Sequence, residues 1–252
     1  MPSPIEILTH GPIRELRLAR APVNALDPTL CRALREAVEA AADDDSVAGL
    51  VLSGQPRFFS AGLDVPYLLT LDASALRAAW DGFFDAVRAV AVSPVPVAAA
   101  ITGHAPAGGC VLALACDYRV MTRGAFGIGL NETQVGLVAP IGIQQLMRRT
   151  VGQRQAERLL VGGLQVDPEE ALRLGLVDAL AEPEETVAAA CGWLRSLLAL
   201  PQAPMRETRR IARADLVEAL QPDRLDLDRQ LAAWQAPDTQ AGLRALVARL
   251  GR

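Results

Sequence analysis

With 252 residues, 51% of them hydrophobic, the chain can bury a substantial core as one large domain or as a domain with a helical extension. Its net charge of −4 excludes the basic surface that nonspecific nucleic-acid binding needs, and no run of about 18 uncharged apolar residues is present to span a membrane. All 25 basic residues are arginine, so a phosphate group would be met by guanidinium or backbone N–H groups.

Taken in chain order, strand signals dominate early and helical ones late. The opening Met1-Pro2-Ser3-Pro4-Ile5-Glu6 lacks a basic n-region and an apolar h-region and fits a transit peptide poorly, so a cytoplasmic protein is expected. Residues 5–8 and 15–18 read as strands around the His10-Gly11-Pro12 turn. Asp27-Pro28 opens a helix by cap and first-turn proline, with Leu30, Leu34, Val38 and Ala41 on one face. Residues 47–53 read as a buried strand, and Phe58-Phe59-Ser60-Ala61-Gly62-Leu63-Asp64 as a loop of small residues after it. A helix over 73–92 and a strand over 97–101 follow, then an apolar helix over 107–115 and a strand over 118–121. Asp167-Pro168-Glu169-Glu170 starts another helix, which Gly175 ends before a strand over 176–180. Helices occupy 186–200 and about 204–250, broken near Pro222 and Pro237, with Trp193 and Trp234 anchoring them on the core or on another subunit, core packing being the more economical reading. This alternation predicts an α/β fold with crossovers, but by itself leaves a spiral and a doubly wound sheet equally open.

The segment from Gly103 to Pro140 concentrates the chemistry. Pro106 stops the preceding element, so Gly108 and Gly109 fall in the first turn of the apolar helix, where backbone N–H groups lack intrahelical partners. Such a terminus favours anions, and glycine lets a ligand approach the main chain. Taken alone, the pair reads equally as a helix start packed on a neighbour. The loop at residues 58–64 offers a second backbone donor, and two converging donors can hold an enolate oxygen. Cys31, Cys110, Cys116 and Cys191 show no metal-ligand spacing and are expected as reduced, packed thiols. The two histidines, His10 and His104, lack local partners, so no metal site is expected.

Asn24-Ala25-Leu26, the 58–64 block, Gly103 with the Ala107-Gly108-Gly109 turn, Cys116-Asp117-Tyr118-Arg119 and residues 127–136 together resemble the crotonase (enoyl-CoA hydratase/isomerase) superfamily. Within it, Pro106-Ala107-Gly108-Gly109-Cys110 and Ile128-Gly129-Leu130-Asn131-Glu132-Thr133-Gln134 look most like the mitochondrial-type Δ3,Δ2-enoyl-CoA isomerase branch. The resemblance implies a crotonase-like spiral of ββα units over 1–200, with a helical trimerisation and lid region over 201–252. It implies an oxyanion hole from the N–H groups of Leu63 and Gly108, with Glu132 as the single acid-base group. The position of the hydratases' first glutamate is Val111, which can neither activate water nor donate a proton, so hydration is expected to be poor.

The implied activity is transfer of an acyl-CoA double bond from position 3 to position 2 in unsaturated fatty acid β-oxidation. Other readings are dienoyl-CoA isomerisation, weak enoyl-CoA hydration and non-catalytic acyl-CoA binding. No cofactor is implied, coenzyme A being part of the substrate, and the implied assembly is a homotrimer or dimer of trimers. Arg57, Phe59, Ser60, Ala61, Gly62 and Asp64 are the expected substrate-binding set. Arg57 is the nearest phosphate candidate, or else an exposed solubilising arginine, and Asp64 also reads as a helix cap. Asp117 is expected to be a structural hydrogen-bond acceptor. After Ala139-Pro140, where the isomerase branch carries bulky aromatic residues, this chain has Ile141-Gly142-Ile143, a departure that bears on the acyl pocket.

Overall fold

β1 (Ile5–His10) and β2 (Ile13–Leu18) pair antiparallel around Gly11, whose φ of +70° turns the chain. The computed structural model describes residues 3–250; the outer ends of the two predicted units, Met1, Pro2, Gly251 and Arg252, lie outside the described residues. α1 (Pro28–Ala42) is capped by Asp27, which accepts the Leu30 N–H, and it buries Leu30, Leu34, Val38 and Ala41 as the spacing predicts. There follow β3 (Gly49–Ser53), β4 (Arg57–Phe58), α2 (Val65–Leu68) and α3 (Ala73–Val92). The middle of the chain forms β5 (Val97–Ile101), β6 (Gly103–Pro106), α4 (Gly108–Ala115), β7 (Tyr118–Thr122) and β8 (Ile128–Gly129). A 3-10 turn (Glu132–Val135) leads into α5 (Ile141–Val151), α6 (Gln153–Gly162), α7 (Pro168–Leu174), β9 (Ala179–Ala181) and α8 (Thr186–Leu198). The chain closes with α9 (Gln202–Ala212), α10 (Ala214–Ala219), α11 (Pro222–Leu225), α12 (Leu227–Gln235) and α13 (Pro237–Leu250).

The strands form two sheets. One has six strands in the order β1-β2-β3-β5-β7-β9, parallel from β2 onward, and the other has three parallel strands, β4-β6-β8. Each of β3, β5 and β7 enters the large sheet and is followed by a short strand in the small one before the chain turns helical. This repeat is the ββα spiral and rules out the doubly wound alternative. The sequence pattern reads β4, β6 and β8 as loops. They are two to four residues long and defined only by partners far along the chain.

Three further differences are local. Leu176 and Val177 pack in the core at the foot of α7, so the strand begins only at Ala179. α5 and α6 add two helices to the predicted set. The predicted late helical run is five helices, with additional breaks at Arg213 and Asp226 besides those near Pro222 and Pro237. Trp234 is buried edge-on to Trp80 at 6.2 Å, and Trp193 stacks on Tyr118 at 4.7 Å, both as intramolecular packing.

The C-terminal helices lie on the core: α10 packs on α5, α12 on α3, and α13 on the 3-10 turn. Asp117 ties them down. Its carboxylate accepts from Arg209 Nε and Nη2 at 2.8 Å, pairs with Arg213 at 2.9 Å and accepts the Val97 N–H at 2.8 Å. Among the described residues no helix is long and apolar enough to cross a membrane. All four cysteines are buried free thiols.

Candidate active site

The junction of β6 and α4 is strained. Ala107 sits at φ +45° and ψ −117°, a conformation costing a non-glycine residue on the order of 1–3 kcal/mol. That turn brings Gly108, the first residue of α4, to the cavity wall with an N–H that has no intrahelical acceptor.

The facing loop is held from behind. Asn24 Nδ2 donates to the carbonyls of Phe58 and Phe59 at 3.2 and 3.1 Å, while Ser60 Oγ donates to Asn24 O at 2.7 Å and accepts the Gly62 N–H at 3.1 Å. Leu26 then donates to Gly62 O at 2.8 Å and accepts the Asp64 N–H at 3.1 Å. Because successive extended residues point their N–H groups to opposite sides, Leu63 is left facing away from Leu26, toward Gly108. The two main chains adjoin: a Cβ on Gly62, whose φ of +82° itself favours glycine, would stand 3.1 Å from Gly108 N, and one on Gly108 would press on Leu26 Cδ1 at 3.0 Å and touch Leu63 N at 3.4 Å. Neither the Leu63 nor the Gly108 N–H donates to an acceptor among the described residues. Two such donors on adjoining main chains can receive one developing oxyanion.

Both donors open onto a cavity of about 700 Å3 that Glu132 and Val111 also line. Glu132 opens the 3-10 turn after β8, with Oε2 buried and unpartnered, and burial pushes its carboxyl up to about 7. The cavity's other carboxylate, Asp64, is engaged. It caps α2 through the Tyr67 N–H at 3.1 Å and pairs with Arg20 at 2.7 Å. Among the described wall residues, Glu132 is therefore the one carboxylate free to move a proton. His104 Nδ1 accepts the Gly127 N–H at 3.1 Å, and burial, then the Arg57 charge, lowers its pKa.

Of the expected binding set, Leu63, Gly108, Ala61, Asp64 and Glu132 meet on the wall, and Gly62 forms the close crossing behind them. Phe59 and Ser60 do not reach it. Both are fully buried beneath the loop, Phe59 in the core and Ser60 in the hydrogen bonds that shape the loop. Arg57 is exposed, at φ +75°, and does not line the cavity; its main chain lies against Gly103, where a Cβ would come within 2.1 Å of its carbonyl oxygen. Asp64 combines the predicted cap with a place on the wall.

The apolar part of the cavity is walled by Trp80, Phe83 and Phe84 of α3, Trp234 of α12 and Ile143 of α5. Sequence reading assigns no site role to these residues, because their helical spacing is that of ordinary core. Gly142 lets α5 rest on α10, since a Cβ there would meet Ala219 O at 1.8 Å. The aromatic surface that the 141–143 segment lacks is thus supplied by α3 and α12.

A family model described as enoyl-CoA hydratase/isomerase matches residues 9–249. Mitochondrial enoyl-CoA delta isomerase 1 of Homo sapiens is 33% identical over 200 residues, covering 79% of this chain and 66% of that protein. The chain thus spans just under two thirds of that relative's length. A probable enoyl-CoA hydratase of Mycobacterium avium is 37% identical over 187 residues, covering 74% of this chain and 72% of the relative. The crystal structure of human mitochondrial delta3-delta2-enoyl-CoA isomerase superposes with a TM-score of 0.93 at 28% identity, covering 98% of each chain. With this match over nearly its whole length and the spiral of paired sheets beneath it, the chain belongs to the enoyl-CoA hydratase/isomerase family and has the crotonase fold.

Proposed function

We propose that the chain is a Δ3,Δ2-enoyl-CoA isomerase acting in the oxidation of unsaturated fatty acyl chains. The observation that carries this reading is that, among the described residues, the one free carboxylate on the wall, Glu132, shares a cavity with the unpaired N–H groups of Leu63 and Gly108 and with Val111. The thioester oxygen accepts from both N–H groups. Glu132 removes a proton from C2, the electron pair delocalises onto the thioester oxygen through C1 and along the C3=C4 double bond onto C4, and the protonated Glu132 returns the proton at C4 as the C2=C3 double bond forms. No atom is gained or lost, so one carboxyl group serves both steps. Electrostatic stabilisation by one such donor is typically worth about 3 kcal/mol, and a positioned general base roughly 10²–10⁴-fold.

Hydration needs a second group to position and activate water, and Val111 cannot do so. The assay is direct: purified protein is given 3-enoyl-CoA and, separately, 2-enoyl-CoA, and the isomerised and hydrated products are quantified. Isomerisation should dominate, with negligible hydration. Hydration as fast as isomerisation would return the chain to the hydratase reading that the Mycobacterium avium relative suggests. The same proposal carries a homotrimeric assembly, supported by the exposed apolar residues Val92, Leu200 and Ile211 around α9 and tested by sedimentation.

A further inference from the structure

The apolar wall contains a polar side chain that double-bond transfer does not use. Gln230 of α12 lines the cavity and is 3% exposed, yet its Oε1 and Nε2 hydrogen-bond to no described residue. Its surroundings are hydrocarbon and aromatic. Trp234 lies one turn later on the same face, its ring edge-on to Trp80, and Phe83, Phe84 and Leu243 continue the wall. The Gln230 amide is thus open to the cavity space, and the indole N–H of Trp80 on the same wall is buried without an acceptor. Of the other polar wall residues, His104 holds the Gly127 N–H, Gln165 packs against Gly127, and Asn131, whose Oδ1 is also buried without a partner, adjoins Glu132 at the reacting centre.

Buried amides are nearly always hydrogen-bonded, and leucine at this position would suit a plain hydrocarbon chain better. We infer that Gln230 is a specificity-determining residue that hydrogen-bonds a neutral oxygen substituent, a hydroxyl or keto group, on the acyl chain beyond the reacting carbons. The inference rests on the acyl-CoA reading above. An amide both donates and accepts, which suits a hydroxyl and also serves a carbonyl. A carboxylate would call for a cation, and the one arginine on this wall, Arg20, is already paired with Asp27 and Asp64. Sites built to hydrogen-bond a substrate group reject analogues that lack it.

The test is calorimetric binding of decanoyl-CoA and of monohydroxydecanoyl-CoAs carrying the hydroxyl at successive carbons beyond C5, to the whole protein and to Gln230→Leu. Wild type should bind at least one hydroxylated member about tenfold more tightly than decanoyl-CoA. Gln230→Leu should lose that preference while binding decanoyl-CoA at least as tightly as wild type. If no hydroxylated member is preferred, or if the preference survives in Gln230→Leu, the inference is overturned. Gln230→Met, checked by thermal unfolding, replaces the leucine variant should that one fail to fold. Failure of the underlying reading looks different: no member of the series, decanoyl-CoA included, would bind to wild type.

Discussion

Glu132 is where catalysis and stability make opposite demands on one side chain. Burial disfavours the charged form and lifts the carboxyl from its ordinary 4.5 to about 7, which makes the carboxylate a stronger base. The basic form does the work, so kcat/KM for isomerisation should rise with pH through a single limb near 7. Glu132→Gln keeps the shape and removes the base, and should cost at least about a hundredfold in kcat with little change in acyl-CoA affinity. A variant keeping more than about a third of wild-type turnover would contradict that role. The stability effect has the opposite sign. Between 4.5 and about 7 the native state holds a proton that the unfolded chain has released, so stability falls as pH rises through that window and levels off above it. Glu132→Gln has no such proton to lose. Its unfolding free energy from urea titration should match wild type near pH 4 and exceed it near pH 8, by on the order of 1–3 kcal/mol, with the midpoint moving in the same sense. Equal midpoints at both pH values would mean that the carboxylate is solvated in the folded protein.

The oxyanion donors belong to the main chain, so their test lies at the level of the loop and the helix start. A side chain on Gly108 would approach Leu26 Cδ1 to 3.0 Å and Leu63 N to 3.4 Å, narrowing the gap between the two donors without deleting either. Gly108→Val should lower kcat/KM for 3-enoyl-CoA by on the order of tenfold or more, because a small displacement from the oxyanion weakens a preorganised contact. A variant that unfolds at the wild-type temperature and turns over at an undiminished rate would remove Gly108 from the thioester. Gly109 separates packing from chemistry. Its added Cβ would meet Ser60 O at 2.5 Å, a backbone atom that cannot swing aside, so Gly109→Ala should lower thermal stability by roughly 1–3 kcal/mol. The legible elements are those whose causes are local. Asp27-Pro28 and Asp167-Pro168 cap α1 and α7 as read, and the apolar run of β5 is a central strand. Glu132, Leu63 and Gly108 enter through the family resemblance, and all three line one cavity. β4, β6 and β8 were not legible, because segments of two to four residues, Arg57-Phe58, Gly103-His104-Ala105-Pro106 and Ile128-Gly129, become strands only through distant partners. Nor does the identity of Ala107 announce a positive φ, and the helical spacing of Phe83, Phe84 and Trp234 does not say that their packed face borders a cavity.

At the scale of the whole molecule, one buried carboxylate joins the spiral to the helices that complete its cavity. Asp117 follows α4, and it binds Val97 of β5 together with Arg209 of α9 and Arg213 at the α9–α10 break. α9 buries none of its own residues, so these guanidinium contacts carry much of its attachment to the core. Downstream of that attachment, α12 and α13 supply Gln230, Trp234, Leu243 and Leu246 to the cavity. Asp117→Ala would leave two largely buried guanidinium groups without their carboxylate, and breaking a buried pair in this way costs about 3–5 kcal/mol. The urea midpoint should fall accordingly. The wall residues touch the acyl chain in ground state and transition state alike, so loosening them removes uniform binding and should raise KM more than it lowers kcat. Unequal effects of that kind, measured where the variant is still fully folded, would mean that the C-terminal helices act as a wall fastened at Asp117. A parallel fall in kcat with KM unchanged would mean instead that Asp117 acts through α4 on the position of the Gly108 N–H.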